Sequence, residues 1–265
     1  MQLEQITPLI LTFNEEPNLR RTLHAISWAK QIVIIDSGST DGTLAITKEF
    51  PNTTVYHRRF DDHTSQWNFG LDQIKTEWVL TLDADYVCLS DLSLELTERK
   101  EFADVYFASI AYCIYGTRLR HSLYPPRAVL FRPSQCKYVD DGHTQLLDVN
   151  NRSHAQLRSS ILHDDWKPLK GWFQSQARYA ELEAAKILAI PQRALHWKDR
   201  IRKMIVFGPV LTFFYCLFVK GLAFNGWAGW YYTLQRVLAE VMLSLTLLDM
   251  KLKTKPKSSR PPNPH

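Results

Sequence analysis

The chain has 265 residues, 45% of them hydrophobic, with a net charge of +5 and a pI near 8.9, enough for a sizeable core in one large domain or a domain with an appendage. Four widely spaced cysteines (Cys88, Cys113, Cys136 and Cys216) have no zinc-type spacing and read as reduced thiols in a cytosolic compartment. The basic residues follow no nucleic-acid-binding motif, so nucleic acid is not an expected partner.

The N-terminus, MQLEQITPLILTF, has no basic region and no long apolar run. It reads as a first strand over Ile6–Thr12 rather than a signal peptide. In NEEPNLRRTLHAISWA, Asn14 can cap a helix, the early acids suit its N-terminus, and Leu19, Leu23 and Ile26 share one face. Ile32-Val33-Ile34-Ile35 is a continuous apolar run, as in a parallel strand covered on both faces. A loop over 37–42, a helix over 43–50, a strand over 54–57, a helix over 65–74 and a strand over 78–82 follow. Strands alternating with helices predict an α/β fold with a mostly parallel sheet.

The pattern then changes. Residues 104–115, 127–132 and 156–163 read as strands separated by turn chemistry at Gly116, Pro125-Pro126, Pro133 and Asp140-Asp141-Gly142. They predict an antiparallel or mixed extension of the sheet. From Lys167 the chain reads as helical and increasingly apolar. The expected organisation is a catalytic domain over 1–165, a helical region over 166–250, and a disordered basic tail over 251–265. That tail either solubilises the chain or is drawn to anionic headgroups.

Ligands of parallel α/β sheets bind beyond the carboxyl ends of the strands. Three polar clusters follow such ends: Thr12 to Glu16, Asp36 to Ser39, and Asp83-Ala84-Asp85. Two carboxylates at the exit of a core strand call for a cationic partner, because unpaired buried charge costs several kcal/mol.

The stretches LILTFNEE, IVIIDSGSTDGT, QWNFGLD and WVLTLDADY resemble the inverting glycosyltransferases of family 2, which have the GT-A fold. YPPRAVLFRP, DDGHTQLL, ILHDD and KGLAFNGWAGW are similar to segments of the lipopolysaccharide core β-1,4-glucosyltransferase subfamily, so the resemblance runs from about residue 6 to about residue 235. It implies that Asp36 hydrogen-bonds the nucleotide base, that Thr12, Asn14 and Glu15 line the same pocket, and that Asp83 faces ribose or diphosphate. It implies that Asp85 ligates Mg²⁺ or Mn²⁺, a hard cation that neutralises a departing diphosphate. Gln66 and Asn68 resemble the family's Gln-Arg-Asn element with Trp67 in place of the arginine; they either serve the donor or face solvent. Arg127 either reaches the diphosphate or acceptor or is a surface residue. His163, beside Asp164 and Asp165, is either a metal or diphosphate ligand or structural.

An inverting transfer needs a base for the acceptor hydroxyl. In the subfamily this is the glutamate of a Val-His-Glu segment, but Thr144 stands at that position here, after His143. The candidates are then Asp141, Asp140 and His143, in that order, unless Asp-Asp-Gly is a plain turn or the site is inactive.

Residues 204–219 carry no charge, are shorter than a spanning helix needs, and are interrupted by Gly208-Pro209. Trp227, Trp230, Tyr231 and Tyr232 lie in a second uncharged stretch. Aromatics beside basic residues suit a membrane interface; buried helices and a transmembrane hairpin are the alternatives. The expectation is a metal-dependent hexosyltransferase that moves a sugar from a nucleotide sugar, a UDP-sugar first, to a glycan or lipid-linked glycan such as lipopolysaccharide core. It would work at the inner face of the cytoplasmic membrane. The rivals are a non-catalytic, membrane-docked binding protein, kept open by Thr144, and a sugar nucleotidyltransferase, disfavoured because the first loop is acidic and lacks glycine.

Overall fold

The computed structural model describes residues 1–99, 103–121, 123–141, 144–191, 193 and 196–254. The chain divides into two units, Met1–Lys167 and Pro168–His265.

The first unit opens with β1 (Ile6–Thr12), α1 (Leu19–Ala25), β2 (Ile32–Asp36), α2 (Thr43–Thr47), β3 (Thr53–His57), α3 (His63–Leu71) and β4 (Trp78–Asp83). The alternation expected from the sequence is present. One local reading is corrected: Asn14 does not cap α1, because Asn18 holds the N-cap position and Asn14 sits in the left-handed region at φ 54°. After β4 come β5 (Tyr86–Cys88), α4 (Asp91–Glu98), β6 (Val105–Ala108), β7 (Ile110–Ile114), β8 (Thr117–Arg118) and β9 (Arg127–Phe131). The unit closes with the hairpin β10 (Tyr138–Asp141) and β11 (Thr144–Leu147), then β12 (His154–Gln156) and β13 (Ile161–His163).

The main sheet has the order β12-β6-β9-β4-β1-β2-β3. β1 pairs in parallel with β2 and β4, and β2 with β3, while β9 runs antiparallel between β4 and β6. The chain moves from β1 outward to β2 and β3, then returns to β4 on the other side. That reversal opens a crevice at the carboxyl ends of β1 and β4. Register puts Thr12 opposite Asp36 and Leu11 opposite Asp83, so the three polar clusters are brought level. Alternate side chains enter opposite cores: Ile10, Ile34 and Leu80 pack with Leu19 and Leu23 of α1, whereas Leu9, Ile35 and Val79 pack with Trp67 and Leu71 of α3.

Two expected strands are each split. Residues 104–115 break at Ser109, whose carbonyl accepts the Ile161 N–H at 3.0 Å, and so supply β6 to the main sheet and β7 to a second one. Residues 156–163 break likewise between β12 and β13. The second sheet has the order β5-β13-β7-β8.

The second unit contains α5 (Leu169–Ala189), α6 (Trp197–Lys203), α7 (Phe207–Phe214) and α8 (Gly226–Thr254). Ala180, Ala184 and Ile187 of α5 pack on Leu243 and Leu247 of α8. The uncharged run over 204–219 is not one helix. Ile205 has φ 64°, and α7 passes into a π-helical turn over Tyr215–Val219. A 3-10 turn, Leu222–Asn225, then leads to α8, and Gly229 is obligatory there because a Cβ would lie 1.9 Å from the Leu222 carbonyl oxygen. No single described helix is long and apolar enough to cross a membrane. α8 continues to Thr254, so Lys251 and Lys253 of the expected tail are helical, and the rest of that tail lies outside the described residues.

Candidate active site

The loops after β1 and β2 are sewn together by side chains. Asn14 N–H donates to Ser39 Oγ at 2.9 Å, and Asn14 Oδ1 accepts from Thr40 N–H at 2.9 Å. Glu15 N–H donates to Thr43 Oγ1 at 2.7 Å, and Gly42 N–H to the Glu16 carboxylate at 3.0 Å. The left-handed backbone at Asn14 is tolerable because asparagine is among the few residues that visit it.

Asp36, expected at the nucleotide base, lies at the root of the loop after β2. It is fully buried, and both oxygens are taken: Thr12 Oγ1 (3.1 Å) and Ser39 Oγ (2.5 Å) on one, Gly38 N–H (2.9 Å) and Ser39 N–H (3.0 Å) on the other. Burial alone would raise its pKa, but these donors outweigh it and hold the carboxyl below its ordinary value. Asp36 therefore shapes the loop, whose Gly38 adopts φ 93°. Gln66 belongs to the same support. It is buried rather than facing solvent, donates to Ser37 Oγ (3.0 Å) and the Arg58 carbonyl (3.2 Å), and accepts from the Arg58 guanidinium.

Among the described residues, Asp83 and Glu15 each have a cationic partner, and Asp85 meets an imidazole. Asp83 accepts from Arg127 at 3.0 Å, and the same Arg127 nitrogen donates to the Tyr86 hydroxyl at 3.0 Å. Arg127 is thus a crevice residue, not a free surface one, and the neighbouring Asp83 and Tyr86 raise its pKa despite burial. Asp85 Oδ2 meets His163 Nε2 at 3.1 Å. Glu15 pairs with the Lys167 ammonium and accepts from Asn18 Nδ2 at 3.0 Å. Burial pushes Glu15 up to about 7; Lys167 opposes the shift and the Asp85 charge adds to it. Burial would also raise Asp85, but His163 and Lys167 hold it below its ordinary value, and Asp85 in turn keeps His163 above its own against burial.

Sequence reasoning missed Lys167, the rings of Tyr86, Tyr112 and Tyr124 around His163 (centroids 4.7 to 5.4 Å away), and the brace of Arg21 on Asp164 (2.6 Å).

Asp85 Oδ1 and His163 Nδ1 are buried without a hydrogen-bond partner among the described residues. A hard divalent cation needs such an unsatisfied carboxylate oxygen, and one or two protein ligands suffice where substrate phosphates complete the shell. Among the described residues no group of three or more metal-ligating side chains is gathered. The fit is therefore to a shared cation, with Asp85 and His163 as the protein's contribution.

Of the three candidate bases, Asp140 is exposed on β10, Asp141 ends that strand opposite Thr144, and His143 lies outside the described residues. The hairpin is fixed from α3. Asn68 Nδ2 donates to the Tyr138 carbonyl and Asn68 Oδ1 accepts the Tyr138 N–H, both at 2.9 Å. Tyr138 also stacks on Trp67 (5.5 Å) and donates to Thr81 Oγ1 of β4 at 3.2 Å. Asn68, half-buried, thus clamps the strand that carries the candidate bases.

The family model described as glycosyl transferase family 2 matches residues 9–166, more than half of the chain. The chain is similar to the lipopolysaccharide core biosynthesis glycosyltransferase LpsC of Rhizobium meliloti (strain 1021), 24% identical over 238 residues that cover 84% of each protein. It is 28% identical over 169 residues to the uncharacterized glycosyltransferase RC0292 of Rickettsia conorii (strain Malish 7), covering 61% of this chain and 54% of that one. The chain thus spans about half the length of that relative. Among solved structures it is similar to S. aureus TarS 1-349, with a TM-score of 0.45 and 12% identity over 95% of this chain and 93% of that one.

Proposed function

Because this chain belongs to glycosyltransferase family 2, we propose that it moves a hexose from a UDP-sugar to a hydroxyl of a glycan or lipid-linked glycan, with inversion at the anomeric carbon. Its mixed, mostly parallel sheet with flanking helices is the GT-A architecture. The observation that carries the reading is the Asp85–His163 pair at the β1/β4 switch point, with a buried carboxylate oxygen still unsatisfied. The similarity to LpsC, a lipopolysaccharide core biosynthesis glycosyltransferase, supports lipopolysaccharide core as the acceptor class; the location that goes with this reading is the inner face of the cytoplasmic membrane.

The fixed loops around Asn14 and Ser37 hold the nucleotide, on a floor set by Asp36 and Gln66. Arg127, poised on Asp83, donates to the diphosphate. Asp85 and His163 would hold a divalent cation, which when bound neutralises charge on the leaving diphosphate. Asp141, or Asp140 beside it, accepts the proton of the acceptor hydroxyl. The acceptor oxygen then forms its bond to the anomeric carbon as the bond to diphosphate breaks, and the electron pair leaves with the diphosphate.

The test is calorimetric titration of UDP-, GDP- and dTDP-glucose with and without Mn²⁺, on the wild type and Asp85→Ala. Metal-dependent binding of one nucleotide sugar, weakened in the variant together with loss of transfer, is the expected result. Full transfer activity in Asp85→Ala would sink the assignment. Binding without any turnover would favour the non-catalytic reading that Thr144 keeps open.

A further inference from the structure

The second unit exposes apolar side chains in an ordered way. On α7 and its π-helical extension, Phe207, Val210, Leu211, Phe214, Phe218 and Val219 are all exposed, at spacings of three and four residues. The opposite side of this arm is buried, at Gly208, Cys216 and Leu217. After the break at Lys220-Gly221, Phe224 is 80% exposed, and Trp227, Trp230 and Leu234 continue a stripe along the start of α8. The two arms, Phe207–Val219 and Leu222–Lys253, meet at 70°. A surface helix ordinarily turns this stripe inward and shows water its polar face; here the outward face is the apolar one.

Charge identifies what covers it. Between Asp199 and Glu240 the chain has no Asp or Glu, but it has Arg200, Lys203, Lys220 and Arg236 besides Arg202, which is ion-paired within the unit. Beyond the stripe the charge becomes mixed and internal. Glu240, 7% exposed, takes two bonds from Arg202 (2.8 and 3.2 Å), and Arg202 reaches Glu183 at 3.2 Å. This ion-pair cluster in mid-α8 keeps that helix from crossing a bilayer, while Trp227 and Trp230 suit the headgroup boundary.

We propose that the bent pair of arms is a monotopic wedge that enters one leaflet of an anionic membrane. Phe218, Val219 and Phe224 lead, and Lys203 and Lys220 meet the headgroups. The wedge belongs to the second unit alone and stands whether or not the transfer reaction does.

The test uses the full chain in flotation with phosphatidylcholine vesicles, with or without about one-third phosphatidylglycerol. Binding to the anionic vesicles is expected, with blue-shifted tryptophan emission that Trp227→Phe diminishes. Phe218→Ser and Phe224→Ser should each weaken partitioning about tenfold, the loss of one inserted phenyl ring. Lys220→Gln, which leaves the apolar stripe intact, should weaken it about fivefold on anionic vesicles only. Equal flotation with both compositions, or none with either, would overturn the proposal. So would a dimer that ignores vesicles and dissociates in Phe218→Ser, because the face would then be an interface between copies of this chain.

Discussion

Asn68→Ala should separate the fold from the chemistry. The substitution removes two reciprocal bonds, both 2.9 Å, between one side-chain amide and the main chain of Tyr138. Each is worth about 1 kcal/mol net, and Tyr138 is 9% exposed, so its N–H and C=O lose partners that water replaces poorly; the total is about 2–3 kcal/mol. Tyr138 is still held by Trp67 and Thr81, so the hairpin shifts rather than detaches. A displacement of about 1 Å at a catalytic group can cost about a hundredfold in rate. Urea denaturation should show the stability loss, and steady-state kinetics should show a lower kcat with an unchanged KM for the nucleotide sugar. A destabilised variant with wild-type kcat would refute the claim that this hairpin carries the base. An unchanged urea midpoint would refute the clamp itself.

Asp141→Asn should lower kcat by about 10² to 10⁴, whereas Asp140→Asn should lower it far less; product formation in a single turnover distinguishes them. Glu95 would be raised by its burial, but the N–H groups of Arg158 and Ser159 and the side chain of Arg99 pull it down to about 2. Its folded value lies below its ordinary 4.5, so its contribution is present above pH 4.5 and lost as pH falls towards about 2. That loss, about 3 kcal/mol, should be absent from acid titrations of Glu95→Gln. Glu15 has the opposite sign: its folded value, about 7, lies above 4.5, so its contribution is complete below pH 4.5 and declines up to about pH 7. The stability difference between wild type and Glu15→Gln, followed across that range, should fall by up to about 3 kcal/mol.

The first four strands and the acids at their ends were legible because their signals are local: apolar runs of strand length, each closed by polar residues. The fate of Asp36 was not, because its donors depend on the turn geometry of Gly38 and on Thr12 across the strand pair. Partners far along the chain were also hidden. Lys167 is 152 residues from Glu15, and Arg127 is 44 from Asp83. β5 has only three residues, too few to show a period, and its neighbour Asp-Ala-Asp drew attention to chemistry instead of pairing. In the second unit the uncharged runs were visible, but the left-handed backbone at Ile205 and the π-helical turn that break them have no compositional mark.

The second sheet ties chemistry to fidelity of assembly. His163 stands opposite Tyr86 on one side and Tyr112 on the other, at the end of a central strand of three residues. A slip of one residue would turn it to the opposite face. The main sheet shares none of these pairings and would stay intact. On the role proposed for His163, a sample could then pass every test of bulk foldedness and still be inactive, and the fraction of molecules able to turn over would report how faithfully one short strand found its place.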